Sequence, residues 1–451
     1  MLWNERRYSM YNIKNKKFYI LVKLFIKFFS LLILLHNEQV CSEPFDFYCS
    51  GPRTRSVGCS GIALSEGYEA VFLNPALISA KKEFGIGYIF ASQKINISYR
   101  GEKVIGDPLE DASLLNPGIS LALSDLPFIS SEISDNIFLG LSAMFPLGEI
   151  LVIETKSTKR PSAILYGNRN DRLSIYAGLS GKIRIDNFKI YLGGAANFLA
   201  IAYAYINLNL SPDQDLVDVL VPVKAKEGFS GGVAFELEEE KFFVRAGGSF
   251  RTQNRFDLPA EVRVNFVSEE LIYVSAQIAE YYTPSFIGVG IGGGLKLAPI
   301  KISSEFNIIH YRFSEFRLTL IDVLEVSPKE IKNLLPKYKL PAFQDINAIR
   351  GGILLDFYDA IGKTDIIGGL GAGLFPSPLK SQNGSLFVDS ERLILSGGLG
   401  SRFASPFVFD GEIEFILSGG FQILSKRDFP ESQIKLDGTV PFFSFTFNVL
   451  Y

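Results

Sequence analysis

From residue 83 to the end of the chain one pattern recurs: segments of about ten residues in which apolar residues alternate with polar residues or glycine. Alternation with period two places successive side chains on opposite faces of a β-strand. Fourteen such segments can be read, centred on 84–91, 118–124, 137–145, 172–185, 188–206, 229–237, 242–266, 285–297, 299–313, 346–357, 365–375, 391–403, 407–417 and 440–451. Short connections, around Asp186, around Glu239, at Ala298-Pro299 and at 404–406, alternate with long polar ones at 150–171, 207–227, 314–345 and 418–439. A soluble β-sandwich has no reason to sort its loops by length in this way. A transmembrane barrel does, with short turns on one rim, long loops on the other and both termini on the short-turn side. The predicted fold is therefore all-β, an antiparallel transmembrane β-barrel of about 14 strands.

The faces of individual segments agree. In 440–451, Phe443, Phe445, Phe447, Val449 and Tyr451 oppose Phe442, Ser444, Thr446, Asn448 and Leu450. In 299–313, Ile302, Phe306 and Ile308 oppose Lys301, Ser303, Glu305 and Asn307. In 407–417 the apolar face opposes Asp410, Glu412 and Glu414. A phenylalanine-rich face backed by full charges suits lipid outside and a polar lumen within. The composition is compatible with this. Mean hydropathy is +0.20, yet past the N-terminus no run reaches the ~18 apolar residues that a spanning helix needs. In lipid only helices and closed barrels satisfy every backbone polar group. With 45 Lys+Arg against 48 Asp+Glu, there is no basic excess to draw nucleic acid as a partner.

The N-terminus reads as an export signal over residues 1–42. Lys14, Lys16 and Lys17 precede an apolar stretch whose cleanest core is 28–35, and Val40-Cys41-Ser42 offers a small-residue cleavage position. Met1 and Met10 are both candidate starts. Residues 43–82 then form a small N-terminal piece before a barrel of 83–451. Cys49 and Cys59 lie in that piece. In an oxidising compartment they either close a small loop, contributing roughly 2–3 kcal/mol through loop entropy, or remain two free small residues.

Motifs that suggest catalysis fail on context. Residues 228–232 (GFSGG) match a nucleophile pattern that needs a strand before it, a helix after it and a histidine partner, whereas here a polar loop precedes and a strand follows. Gly362-Lys363-Thr364 resembles a phosphate loop, but its leading glycine would fall on Phe357. The glycine strings at 288–294 and 369–373 lie inside alternating strands, where glycine permits curvature or close packing. No Cys/His cluster has metal-ligand spacing, so no catalytic residue, metal or cofactor is expected. Asp410, Glu412 and Glu414 read better as a lumenal salt-bridge network with inward cations such as Lys182, Arg184, Arg245 or Arg251 than as paired catalytic carboxylates.

One further stretch, EAVFLNPALIS at 69–79, sits between the cysteine-bearing piece and the first strand. Asn-Pro initiates turns, and Pro75 cannot donate to a β-ladder. The stretch resembles the signature of the FadL-type outer-membrane transporters of long-chain fatty acids and aromatic hydrocarbons, as do MFPLG at 144–148 and the Pro-rich loop and glycine-alternating strand at 375–403. The sequence departs from the family in having LSEGYEA upstream, with Glu66 and Glu69 replacing an acidic pair, and in ending on tyrosine. The resemblance implies that 43–82 is a hatch, or plug, inside the barrel, ending in the turn Asn74-Pro75-Ala76. It also implies passive uptake of a hydrophobic small molecule such as a fatty acid, in the bacterial outer membrane. Arg245, Arg251 or Lys301 is the expected inward cation for a ligand carboxylate, and 327–338 a candidate part of an entry platform. Outer-membrane lipid and lipopolysaccharide, and the barrel-assembly machinery acting on the C-terminal strand, are the other expected partners. The alternative is a scaffold or secretion-associated barrel with no ligand of its own.

Overall fold

The structure, a computed structural model, describes residues 39–40, 44–104, 111–126, 135–148, 161–163, 165–166, 173–202, 204–211, 214–220, 223–266, 271–316, 322–327, 340–405 and 411–451. Its wall is a closed antiparallel sheet of 14 strands: β1 (Glu83–Ala91), β2 (Ala112–Ala122), β3 (Ile137–Pro146), β4 (Ser174–Ile185), β5 (Phe188–Ala202), β6 (Val223–Glu238), β7 (Phe242–Arg251), β8 (Phe286–Leu297), β9 (Ile300–Tyr311), β10 (Ile346–Ile361), β11 (Thr364–Phe375), β12 (Arg392–Ala404), β13 (Glu412–Phe429) and β14 (Ile434–Leu450). Each strand pairs with its neighbour in sequence. The circle closes where β1 lies against β14, from Glu83↔Leu450 to Ala91↔Phe442. Closure removes the exposed edges that an open sheet would present.

Alternation decides which residues meet lipid. Phe443 and Phe445 are 52% and 44% exposed, whereas Ser444 and Thr446 between them are 1% exposed. Val289, Ile291, Leu370, Leu399, Leu417 and Phe421 are likewise more than half exposed around the wall. A continuous apolar exterior of this kind does not persist in water. On a closed barrel it is the hydrocarbon-facing band of an outer-membrane protein.

The connections β4–β5, β6–β7, β8–β9 and β10–β11 are the tight ones, and both ends of the barrel chain, Glu83 and Leu450, lie on the same rim. Asp186 turns the β4–β5 corner in the left-handed region at φ 51°, which aspartate tolerates better than most residues. At the opposite rim the structure corrects the sequence reading in several places. Residues 242–266 are not one strand. The wall strand stops at Arg251, and Asn254–Phe266 belongs to a separate sheet with Ala204–Ser211, Gln214–Leu220, Leu271–Thr283 and Asp322–Ser327. Residues 252–253 interrupt an alternation that resumes on both sides, so the pattern alone could not show the change of sheet. Residues 207–227 and 314–345 accordingly carry strands of their own. Residues 418–439 are not a polar loop either. β13 and β14 run on past the rim with their polar residues in water, and Lys94–Tyr99 pairs there with β14. Strand β2, expected around 118–124, begins at Ala112 and includes Pro117. The β2–β3 ladder omits the positions of Asn116 and Pro117, and the Asn116 amide donates to the Ala143 carbonyl (2.8 Å) in their place. The stretch 327–338 lies outside the described residues except for Ser327.

Inside the barrel sit α1 (Pro44–Tyr48), α2 (Pro52–Ser56) and α3 (Ala70–Leu73), with short 3-10 turns at Gly67–Glu69 and Pro75–Ala80. Phe45, Tyr48, Ile62, Tyr68, Val71, Phe72 and Leu77 are all buried. The wall accommodates this hatch with glycine. A Cβ on Gly232 would overlap the Asn74 side chain, and one on Gly193 would overlap the Pro75 carbonyl. The glycine-alternating strands thus serve close packing.

Cys49 and Cys59 are joined by a disulfide across a Cα–Cα distance of 5.2 Å, closing the loop that carries α2. Replacing both by serine is expected to cost the hatch roughly 2–3 kcal/mol without affecting the wall. Hydrogen exchange should therefore accelerate in 45–60 and remain unchanged in β9–β14.

Candidate functional site

The Asn-Pro-Ala turn is a junction between two helices. The Asn74 amide N–H closes α3 by donating to the Ala70 carbonyl (2.9 Å). Its side-chain oxygen accepts from the Ala76 N–H (3.2 Å) and so caps the following 3-10 turn, where Pro75 needs no donor. The side-chain nitrogen donates to the Ile62 carbonyl (2.6 Å) and reaches Val233 of β6 at 3.4 Å. One buried amide therefore joins two parts of the hatch and one wall strand. The chain passes to β1 only at Glu83, after the 3-10 turn.

On the short-turn side the hatch is held by charge. Arg53 of α2 is ion-paired with Glu414 of β13 and lies 3.6 Å from Glu83 of β1. Lys81 also meets Glu83, at 2.7 Å. The Glu69 carboxylate accepts from the backbone N–H groups of Arg53 (3.3 Å) and Thr54 (3.0 Å) at the start of α2. Burial pushes the Glu69 carboxyl above its ordinary range, with Glu83 adding to the effect against the opposing pull of Arg53. At Glu66 burial pushes the same way, but Arg245 and Lys301 outweigh it and hold the carboxyl below the ordinary range. Glu305 of β9 accepts from the N–H groups of Ala63 (2.7 Å) and Leu64 (3.2 Å).

The residues singled out in the sequence are distributed around this frame. Arg245 is buried, ion-paired with Glu236 and 3.3 Å from Glu66, and its guanidinium also donates to the Ala63 carbonyl. Arg251 reaches Asp46 at 2.6 Å and lies over the rings of Phe72 and Phe286. Glu414 faces Arg53, while Glu412, at the rim, is 3.6 Å from Arg402. Asp410 lies outside the described residues. The cations that meet this carboxylate face are thus Arg53 and Arg402. Lys182 instead lies over the Phe138 ring, and Arg184 donates to the Asp186 carbonyl. Lys301 makes no ion pair within 4 Å among the described residues; its ammonium lies 5.5 Å from the centre of the Phe243 ring. It borders a cavity of about 100 Å³ between hatch and wall, together with Glu66, Glu305, Asp356 and Arg402. The 228–232 motif lies in the middle of β6, with no helix following it.

Toward the long-loop side the lumen is aromatic. Phe45 stacks on Phe72 and both meet Tyr176 edge-on, and Tyr311 packs on Phe286, Phe313 and Phe375. Arg392 lies over Phe375 (4.1 Å), Phe47 (4.7 Å) and Tyr166 (5.8 Å). Arg350 donates to the Cys59 carbonyl and the Tyr311 hydroxyl. Neither arginine was singled out in the sequence, because an inward charge in a glycine-rich strand resembles any other until the hatch is placed against it.

Loop 376–391 folds over this aromatic end. Phe387–Val388 pairs with Ser162–Ala163, and Leu379–Ser381 pairs with Ala342–Phe343. Asp389 is buried there, accepting from Ser377 (2.6 Å) and lying near Arg392 and Arg427, and burial raises its carboxyl to about 6. Its protonated form therefore favours the closed loop. That contribution is complete below the unfolded carboxyl value and is lost as pH rises through about 6. Amide exchange in 377–390, corrected for intrinsic rates, should be slower at pH 5 than at pH 7.5, and Asp389→Asn should abolish the difference.

No family model matches the chain, and no curated protein does. Solved structures that align with it include a Pseudomonas aeruginosa FadL homologue, at TM-score 0.48 and 13% identity over 89% of this chain and 97% of that one. The Ralstonia pickettii toluene transporter TbuX aligns at 0.43 and 12% over 88% and 97%, and the P. putida toluene transporter TodX at 0.45 and 10% over 89% and 98%. In fold the chain is similar to FadL-type channels. At these identities the FadL-type likeness concerns the arrangement of the chain and not its ligand.

Proposed function

We propose that this barrel mediates passive uptake of hydrophobic small molecules across the bacterial outer membrane. The observation that carries the reading is the aromatic interior on the long-loop side, beneath loop 376–391. A pore for polar solutes would fill that end with water-facing groups, whereas here Phe45 and Phe72 of the hatch pack with Phe286, Phe313, Phe375 and Phe387 in one buried apolar cluster. A ligand would be captured by the outer loops, pass among these rings, and leave either past a shifted hatch or sideways through the wall. The interrupted β2–β3 ladder at Asn116 and Pro117 supports the sideways route. Asn74, Pro75 and Ala76 hold the hatch in its seat on this reading. Lipid and lipopolysaccharide surround the wall, and the strand ending at Tyr451 is the part presented to the assembly machinery.

The test is uptake of labelled oleate and toluene by cells expressing the protein, compared with cells expressing a variant whose hatch is cross-linked to β6. Faster uptake that the cross-link suppresses supports transport. Uptake no faster than in cells without the barrel would favour the scaffold reading.

A further inference from the structure

The outer loop and the hatch meet at Phe47. This α1 side chain is buried, with the Arg392 guanidinium 4.7 Å from the centre of its ring and the Tyr166 ring edge-on to it at 5.3 Å. Both neighbours are tied to the loop above. Arg392 opens β12 directly after loop 376–391, covers the ring of Phe375 at the loop's other end (4.1 Å) and lies near Asp389. Tyr166 follows Ser162–Ala163, which pairs with Phe387–Val388 of the loop. The loop therefore reaches Phe47 by two short paths, one through a guanidinium and one through a ring.

The rest of the loop is gripped by a different arginine. Arg427 of β13 donates to the Ser377 hydroxyl (3.1 Å) and to the carbonyls of Asp389 (3.0 Å) and Leu379 (3.4 Å). The hatch, for its part, is held differently along its length. Arg53 seats α2 on Glu414 at the short-turn side. At α1 the wall supplies Gln422 to the Phe47 carbonyl (2.8 Å) and Arg251 to Asp46 (2.6 Å), and the loop supplies the groups on the Phe47 ring. Lifting the loop would remove the ring contacts and leave the wall contacts, so α1 would be loosened and not released.

We propose that Phe47 and Arg392 form an interlock between loop 376–391 and the hatch, in which lifting the loop loosens α1 while α2 stays seated. The inference rests on the uptake reading for its use and concerns the order in which two closures give way. A ligand that displaces the loop from outside would by the same act loosen the hatch helix beneath it. A barrel with its loop closed keeps that helix tight. Coupling of this kind is reciprocal, so a loosened α1 must weaken the hold on the loop by the same factor.

The test is amide hydrogen exchange on the full-length protein in nanodiscs, read over 377–390, 45–49 and 53–57. Arg427→Met removes the grip on the loop and alters neither group on the Phe47 ring. A desolvated guanidinium–ring contact and an edge-on ring pair together slow local opening about tenfold. Arg427→Met should therefore speed exchange in 377–390, raise it by that factor in 45–49 and leave 53–57 unchanged. In a Phe47→Leu background the loop should loosen as before, with no further change in 45–49. Phe47→Leu alone should speed 377–390, which is the reciprocal effect. Heat-modifiable gel migration verifies that each variant is folded. Should Arg427→Met leave the loop protected, Phe387→Ala takes its place by removing a buried ring from the loop itself. A loosened loop with unchanged exchange in 45–49 would overturn the interlock and leave the uptake reading intact. So would equal acceleration of 45–49 and 53–57, since the hatch would then respond as one body. Coupling that is present in a barrel that takes up neither oleate nor toluene would support the interlock and overturn the uptake reading alone.

Discussion

Arg53→Met is expected to unseat the hatch while leaving the wall standing. The guanidinium meets Glu414 and lies 3.6 Å from Glu83, both fully buried carboxylates, while its backbone N–H donates to Glu69. Removing one partner of a buried pair costs about 3–5 kcal/mol because the remaining charge is left uncompensated. Here one removal deprives two carboxylates of a cation. Lys81 still covers Glu83, so the damage should centre on Glu414 and α2. The wall keeps its own ladder hydrogen bonds and should still run as a folded barrel on a gel. The expected result is rapid amide exchange across 45–60 and new permeability to small sugars in a liposome-swelling assay, because a displaced plug leaves a water-filled barrel. Adding Glu414→Gln should recover part of the protection by removing the orphaned charge. A variant that is sugar-tight, with normal exchange in the hatch, would show that α2 is held by something other than this ion pair.

Much of the fold was legible because barrel physics is periodic. Lipid on one side and a filled lumen on the other impose a two-residue alternation that any strand must show, and loop length records which rim a connection occupies. The same signal misled where it was no longer tied to the membrane. The alternation of 254–266 continues that of β7 although the chain has left the wall, and the polar composition of 418–439 reads as loop although β13 and β14 simply extend into water. The hatch contacts were less legible for a different reason. Arg53, Glu69, Glu305 and Arg350 acquire their roles from partners up to hundreds of residues away, and no local spacing records that Arg53 will meet Glu414. Asn74 is intermediate. Its capping of Pro75 and Ala76 is local and readable, while its contact with Val233 depends on how the hatch is turned.

That turn of the hatch gives the second large expected effect. A Cβ on Gly232 would overlap the Asn74 side chain, so Gly232→Ala should force the hatch away from β6, at the 1–3 kcal/mol typical of an overpacked site. Asn74→Ala alone gives up a helix cap, about 1 kcal/mol, and leaves the buried Ile62 carbonyl without its donor, about 1–3 kcal/mol more. Independent effects would add in the double variant. Direct contact predicts otherwise. Once the Asn74 amide is gone the new methyl has nothing to strike, so Gly232→Ala with Asn74→Ala should be hardly worse than Asn74→Ala by itself. Gly193→Ala provides the control, since its Cβ would meet the backbone carbonyl of Pro75 and shortening the Asn74 side chain cannot relieve it. Exchange protection of 70–80, measured for the three single variants and for Asn74→Ala combined with each glycine substitution, reads the coupling directly. Additive losses at 232 and 74 would mean that the hatch is not seated on β6 by this amide, and the Asn-Pro-Ala junction would then have to be explained by its helix caps alone.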